Sequence, residues 1–490
     1  MLTEVDMGGS TADHSITLTD LEPAEFYYVE VSSSNGNTTT TSTTKLFSTA
    51  SNSTGEVRVY FNFEVDANFS NGSNPTALTS AAMEAAIIER INAATTSIDV
   101  SVYNNNRETI VQALANAYNN GVQVRYIADD ETANLALSNP QPPFPVVKGN
   151  NGSPLMHNKF FVFDADSQND SWVISGSTNM TSQNLAEDYN NTVFIQDQAL
   201  AKAYRLEFEE MWGSTGQNPG IFNVKFGESK KDNTPHLFNI NGMMVESYFS
   251  PSDRTTVNIV NAIKTANTDV EFALLTFTNN ELGNAILEAH NSGIQVRGII
   301  DNVNDQGSEF DYLDGNGVNV SPDNTSEQTH HKYALVDATN ASSDPMVITG
   351  SHNWSASAEV RNDENTLIIH DADIANIFLQ EFEARWCEAT GGTNCTLVSN
   401  QEVDQIEGFE ANLFPNPALD YSNIRMELSD RKTVQISLWD VQGRLIQSSL
   451  LRNIVGTTDH QLRLEGLPSG NYLVDFKVDD QHAVKILQIK

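Results

Sequence analysis

The chain has 490 residues, 39% of them hydrophobic, which is enough for several cores and too long for one ordinary domain. Acidic residues outnumber basic ones 64 to 27, a formal net charge of −37. Such a surface repels polyanions and disfavours duplex DNA held through its phosphates, and no apolar run reaches the ~18 residues of a membrane-spanning helix. Cys387 and Cys395 are the only cysteines, with Gly391 and Gly392 between them. A disulfide closing this loop is one expectation, in an oxidising compartment, and two unpaired thiols the other.

The opening residues, MLTEVDMGGST, lack the basic and apolar regions of a secretory signal. Leu21-Glu-Pro23 and then Tyr27-Tyr-Val-Glu-Val31 place a tyrosine after a turn and before an alternating strand. This resembles the tyrosine corner at the end of a fibronectin type III domain. Residues 1–50 are therefore expected to form a partial fibronectin type III-like segment and linker, with an isolated β-hairpin as the alternative. The Ser/Thr/Asn-rich stretch over 32–55 reads as a last strand running into that linker.

From about 57 to 390 the chain repeats itself. Gly121-Val-Gln-Val-Arg-Tyr-Ile-Ala-Asp129 returns as Gly293-Ile-Gln-Val-Arg-Gly-Ile-Ile-Asp301, and Glu207-Phe-Glu-Glu-Met-Trp212 returns as Glu381-Phe-Glu-Ala-Arg-Trp386. Matching blocks in the same order at nearly constant spacing mark a duplicated domain. The β-rich runs Ser97–Tyr103 and Val270–Phe277 are each followed by a helical pattern and a further strand. That alternation predicts an α/β fold: two pseudo-symmetric repeats over 57–215 and 240–390, each a parallel or mixed sheet covered by helices. Equivalent strand ends would meet at a central seam, where ligand sites of such sheets cluster.

Residues 405–490 form a separate all-β unit. It opens with Leu413-Phe-Pro-Asn-Pro-Ala418 and continues with strands at Val434–Trp439 and Asn471–Phe476, with a turn at Asp440-Val-Gln-Gly443. Leu467-Pro-Ser-Gly-Asn-Tyr-Leu-Val474 and Lys485–Lys490 complete it. The pattern resembles the C-terminal sorting domain of the Bacteroidetes type IX secretion pathway. The resemblance implies engagement of that machinery and export to the cell surface or medium, and with it a chain truncated ahead of Met1. A small ligand-binding β-sandwich is the alternative.

One motif occurs in each repeat. His157-Asn-Lys159 leads through four apolar residues to Asp164, and Gly176-Ser177-Thr-Asn179 follows. His330-His-Lys332 leads likewise to Asp337, and Gly350-Ser351-His-Asn353 follows. On a strand, histidine and lysine two apart share one face, so two repeats would gather two imidazoles, two ammonium groups and two amides around one phosphate-sized site. The lysines supply the cationic field there, so no catalytic metal and no cofactor is expected.

H-x-K-x4-D followed by G-S-x-N resembles the signature of the phospholipase D superfamily. The resemblance implies phosphodiester hydrolysis in two steps, with His157 attacking phosphorus and His330 serving as acid and then base. Lys159, Lys332, Asn179 and Asn353 would hold phosphate oxygens, supported by Ser177 and Ser351. Asp164 and Asp337 belong to the catalytic motif and are expected to brace the site from behind. Glu364 matches the family carboxylate that backs a histidine, and Asn190 stands at its place in the first repeat. The expected pairing is Glu364 behind His330 and Asn190 behind His157, with Glu187 or Asp188 as the alternative occupant of the second place. His331 and His352 read as rim or packing residues.

The acidic excess extends through the repeats, which favours a phospholipid such as phosphatidylcholine and an activity of the phospholipase D type (EC 3.1.4.4). A secreted endonuclease of the same superfamily is the alternative enzyme, and a non-catalytic surface adhesin the alternative of another class. One chain carries both halves of the site, so no obligate oligomer is implied.

Overall fold

The structure is a computed structural model. It describes residues 15, 17–149, 154–392, 406, 408–416, 418–440, 445–464, 466–468, 470–478 and 481–489. Two compact units emerge, one of residues 1–64 and 73–382, the other of 65–72 and 383–490.

The first unit begins with four short strands, β1 (Phe26–Val29), β2 (Ser32–Ser34), β3 (Thr39–Thr41) and β4 (Lys45–Ser48). They pair as two separate antiparallel two-stranded sheets, β1 with β4 and β2 with β3. The Tyr27 hydroxyl accepts from the Glu22 N–H at 2.9 Å, which ties the turn to the first strand. The Ser/Thr-rich stretch is thus a hairpin followed by a returning strand.

The first repeat holds strands β5 (Val57–Phe61), β6 (Ser97–Val102), β7 (Gln123–Ala128), β8 (Val146–Lys148), β9 (Lys159–Phe163), β10 (Trp172–Gly176) and β11 (Asn191–Ile195). Their spatial order is β5-β11-β10-β9-β6-β7-β8. β6, β7 and β8 pair in parallel and the rest antiparallel, so the sheet is mixed. Helices α1 (Ser80–Ala93) and α2 (Glu108–Asn119) set their apolar residues, among them Ile87, Ile91, Ile110 and Leu114, into a core with Val100, Tyr126 and Phe161. Thr79 caps α1 by accepting the Ala82 N–H. Helices α3 (Ser182–Ala186) and α4 (Gln198–Trp212) follow, and Tyr204 of α4 meets Phe160 edge to face.

The second repeat repeats this plan with one more strand. Its strands are β12 (Leu237–Ile240), β13 (Met243–Ser250), β14 (Asp269–Leu274), β15 (Gln295–Ile300), β16 (Asn319–Pro322), β17 (Lys332–Val336), β18 (Met346–Gly350) and β19 (Glu364–His370). The order is β12-β13-β19-β18-β17-β14-β15-β16. Its helices are α5 (Thr255–Ile263), α6 (Asn280–Asn291), α7 (Phe310–Gly315), α8 (Ala356–Val360) and α9 (Ala372–Ala389). The two cores exchange volume between partnered positions. Val100 faces Tyr126 in one sheet and Phe272 faces Gly298 in the other, where a Cβ on Gly298 would lie 2.0 Å from the Phe272 ring.

The second unit carries an antiparallel sheet of β20 (Phe409–Phe414), β21 (Tyr421–Asp440), β22 (Leu445–Arg463), β23 (Gly470–Val478) and β24 (Gln481–Ile489). Alternate residues such as Ile424, Met426, Ile436, Leu438, Val474 and Phe476 form its core. The turn expected at 440–443 extends into residues outside those described, and Cys395, with its expected pairing to Cys387, lies outside them too.

Candidate active site

Both histidine motifs lie where the two repeats meet, and short parallel bridges stitch the seam. Met156 bridges Asp363, with the His157 N–H donating to the Asp363 carbonyl at 3.0 Å. Tyr189 bridges Thr329, with the His330 N–H donating to the Tyr189 carbonyl at 3.1 Å. Each histidine is therefore fixed by backbone from the other repeat. The aspartates that end the duplicated strands complete the mooring: Asp129 accepts the Met156 N–H at 2.9 Å and Asp301 accepts the Thr329 N–H at 3.0 Å.

The bridges set residue 364 against His157 and residue 190 against His330. His157 Nδ1 lies 2.8 Å from Glu364 Oε2, and His330 Nδ1 lies 2.8 Å from Asn190 Oδ1. This reverses the pairing expected from sequence, because the seam crosses: each repeat supplies the buttress of the other repeat's histidine. Asn190 is locked in orientation, since its amide N–H groups donate to the carbonyls of Asn184 and Asp188 at 2.9 and 3.1 Å. Its oxygen therefore faces His330. Both acceptors place the ring proton on Nδ1 and leave Nε2 of each histidine as the free nitrogen. Among the described residues neither Nε2 has a protein partner, and both side chains keep a sliver of exposure, 8% and 7%.

The serines of the G-S-x-N segments hold those buttresses. Ser177 donates to Asn190 Oδ1 at 2.8 Å and Ser351 to Glu364 Oε2 at 2.7 Å. Gly176 and Gly350 let the segments approach. Their φ values are 150° and 149°, and a Cβ there would lie 2.3 and 2.2 Å from the carbonyls of Asn191 and Asn365. The side-chain oxygens of Asn179 and Asn353 are buried without a hydrogen-bond partner.

Lys159 Nζ donates to the His157 carbonyl at 2.7 Å and Lys332 Nζ to the His330 carbonyl at 2.5 Å. Lys159 also sits 5.3 Å from the ring centre of Tyr103, which meets His157 edge to face. Burial pushes all four bases down. Lys159 falls to about 7, with Glu364 and Asp129 opposing the fall. Lys332 falls well below the ordinary lysine value through burial and then through Lys159. His157 is lowered by burial, with Glu364 resisting and the two lysines adding to the effect, and His330 falls well below its usual value by burial, Lys332 and Lys159. Burial alone would raise Glu364, but His157 and Lys159 hold it below the normal carboxylate value. The result is one cluster of mutually repelling bases that an entering anion would relieve.

Asp164 and Asp337 lie elsewhere. They follow β9 and β17 at the ends opposite the lysines, five residues and roughly 17 Å along each strand. Asp164 accepts the N–H groups of Thr95, Thr96 and Ser97 at 2.9, 2.7 and 2.9 Å, and Asp337 accepts those of Asn267 and Thr268 at 2.9 and 2.7 Å. They anchor the loops that enter β6 and β14, at the strand ends away from the lysines. His331 is fully buried, between Asn191 at 3.0 Å and Glu381 at 3.0 Å, and His352 is buried 3.7 Å from Glu359, so both are packing residues rather than rim.

A buried ion cluster that the sequence reading did not identify lies behind the first bridge. Lys230, from the segment joining the repeats, pairs with Glu207 and with Asp363 at 3.1 Å and donates to the Ser250 carbonyl at 2.8 Å. Glu207 and its counterpart Glu381 both open the duplicated E-F-E block, and that recurrence was the available signal.

Residues 87–212 and 259–386 match the family model for the cardiolipin synthase, phospholipase D-like domain, which together is more than half of the chain. The chain belongs to the phospholipase D-like family. The chain is 29% identical over 140 residues to a mitochondrial cardiolipin hydrolase of Chlamydomonas reinhardtii, covering 28% of this chain and 60% of that one. It is 29% identical over 178 residues to a phospholipase D of Rickettsia felis, covering 35% and 86%. A solved phospholipase D family member, Nuc of Salmonella typhimurium, is 27% identical over 29% of this chain and 94% of its own, with a TM-score of 0.26. The chain thus spans about 60% of the length of the Chlamydomonas hydrolase it matches. Residues 412–490 match the secretion system C-terminal sorting domain, which indicates export to the surface or medium by the type IX route.

Proposed function

We propose that this phospholipase D-like protein hydrolyses the phosphodiester of a phospholipid such as phosphatidylcholine, through a covalent intermediate on His157. The observation that carries this reading is the crossed buttressing of the two imidazoles. With Nδ1 protonated and held, Nε2 of His157 is a lone-pair nucleophile, and attack on phosphorus leaves a positive ring that the Glu364 carboxylate stabilises. His330 leans on a neutral amide, which does not hold its proton as a carboxylate would. Once the diester anion has raised its basicity, it gives a proton from Nε2 to the departing alcohol and later takes one from water. In this reading Lys159, Lys332, Asn179 and Asn353 bind the non-bridging oxygens. Ser177, Ser351, Asn190 and Glu364 hold the histidines.

The lipid assignment rests on the acidic surface and on the names of two relatives, a cardiolipin hydrolase and a phospholipase D. Its test is rapid-quench reaction of the full chain with phosphatidylcholine labelled at phosphorus, and in parallel with single- and double-stranded DNA, all in EDTA. Choline release with acid-labile label on His157, accumulating in His330→Asn and absent in His157→Asn, is expected. Label on His330 alone reverses the roles, and cleavage of DNA without lipid turnover makes the protein a nuclease.

A further inference from the structure

The segment between the repeats carries an apolar tip on a fixed loop. Phe222 is 96% exposed and its neighbour Ile221 63%. The loop that bears them is held at many points. The Trp212 indole N–H donates to the Gly216 carbonyl at 3.1 Å, Gln217 Nε2 to the Val124 carbonyl at 2.8 Å and Ser214 Oγ to the Asn218 carbonyl at 2.7 Å. The Gly220 N–H returns to the Trp212 carbonyl at 3.0 Å, and the Asn223 N–H closes a turn on the Gly220 carbonyl at 2.6 Å. The two side chains project from a stapled turn rather than from slack chain.

The loop's charge departs from that of the rest of the protein. Residues 213–227 contain no Asp or Glu in a chain of net charge −37, and their one basic residue, Lys225, is neutralised by Glu210 at 2.9 Å. Five residues beyond Phe222, Gly227 packs against Pro154 and the carbonyl of Arg361, so closely that a Cβ there would lie 2.4 and 2.8 Å from them. Those two residues lead into His157 and Glu364, which sets the loop's return at the same end of the sheets as the site. Beside Arg361, which is itself exposed, Val360 is 50% exposed. Beyond the tip the exposed charges alternate, Glu228 and then Lys231.

We infer that Ile221 and Phe222 insert into the interface of a phospholipid bilayer, with Arg361 facing its phosphates, and so bring the histidines to a lipid surface. Two side chains on a convex turn are too small an area for a stable protein partner, which needs several hundred Å² a side. An aromatic and a branched aliphatic side chain at a tip, free of carboxylates, suit the headgroup–acyl boundary instead. Among the described residues no helix is long and apolar enough to cross a membrane, so contact of this kind would be peripheral. The inference deepens the lipid reading of the site and rests on it.

The test compares the full chain with its Ile221→Ser/Phe222→Ser double variant by co-sedimentation with phosphatidylcholine vesicles. Turnover of bis(p-nitrophenyl) phosphate, a soluble diester, reports the state of the site. A partition coefficient roughly ten- to a hundred-fold lower in the double variant, with soluble-diester kcat/KM within about twofold, is expected. Phe222→Trp should show blue-shifted emission with vesicles and quenching by brominated acyl chains. Equal partition of wild type and double variant, or an unshifted emission from the Phe222→Trp variant, would overturn the inference. So would a concentration-dependent dimer that the double variant dissolves while vesicles fail to bind. If vesicles bind through the tip but their lipid is not hydrolysed, the substrate reading fails and the tip stands; hydrolysis that ignores the double variant sinks the tip alone.

Discussion

His157 is held by Glu364, a carboxylate 207 residues further along the chain and in the other repeat, at 2.8 Å, while its counterpart His330 is held by an amide, Asn190, at the same distance. The two imidazoles of a duplicated motif thus sit in unlike fields. A ring that takes a phosphoryl group becomes cationic and gains most from the carboxylate, whereas a ring that must release its proton gains from not having one.

Glu364→Gln should therefore lower kcat about 10²-fold, ~2.7 kcal/mol of barrier, with KM changed only a few fold, because the ground-state substrate does not charge the ring. Asn190→Asp should act differently. A carboxylate behind His330 raises its pKa, so the protonated acid persists to higher pH and the alkaline limb of the kcat–pH profile moves up. Profiles of both variants on one substrate check the pair, and identical effects from the two substitutions would contradict unlike roles.

Asp164→Asn and Asp337→Asn should cost stability and leave chemistry alone. Each carboxylate gathers backbone N–H groups at the strand end away from the lysines, and each residue has positive φ, 45° and 54°, which Asn tolerates. Loss of the charge in those hydrogen bonds should remove about 2 kcal/mol from unfolding free energy, with kcat within about twofold. Burial alone would raise the Asp337 carboxyl, but Ser343 and the N–H groups of Thr268, Asn267 and Asp269 hold it below the usual value. Its folded pKa is depressed, so its contribution is present above the unfolded value near ~3.9 and is lost as pH falls through the folded one. Urea melts of wild type and Asp337→Asn should differ at pH 7 and converge in acid.

The α/β repeats and the all-β tail were legible because periodicity and duplication are properties of the chain itself. Gly121–Asp129 and Gly293–Asp301 recur almost letter for letter, and they became the strands and the aspartates that moor the histidine segments. The crossing was not legible. It depends on which backbone meets which at the seam, Met156 with Asp363 and Tyr189 with Thr329, and no spacing within one repeat encodes that register. The distance of Asp164 and Asp337 from the lysines follows from the strand between them, which separates its two ends by its full length. Lys230 lay in a linker without periodicity, and nothing local announced that it would be buried between two carboxylates.

Lys230→Met should be strongly destabilising. The lysine is fully buried against Glu207 and Asp363, and its removal strands two carboxylates; breaking a buried pair in this way costs roughly 3–5 kcal/mol. Burial has already raised Glu207 to about 7 against the pull of the lysine, and without the lysine its charged form is disfavoured further. Glu207→Gln/Lys230→Met should recover part of the loss, since one stranded charge is gone, and a double-mutant cycle from denaturant melts measures the recovery. Additive losses would show that the ion cluster is not a unit.

Binding of an oxyanion at the histidines should take up protons. In the free protein burial lowers Lys159 to about 7 and depresses Lys332, His157 and His330 as well. At pH 7.5 Lys159 is therefore largely uncharged, although free lysine, with a pKa near ~10.4, would be charged. A phosphate anion between the lysines favours their charged forms and moves each pKa back up, so protons enter with the anion and affinity falls as pH rises from about 7 to 9. Titration calorimetry with sulfate, an oxyanion that does not itself titrate in this range, in buffers of different ionisation enthalpy reads the number directly. An uptake of about one proton at pH 7.5, reduced in Lys159→Met, is expected. No uptake would mean that Lys159 already carries its charge in the free protein, and the picture of a site primed by burial and mutual repulsion would have to be abandoned.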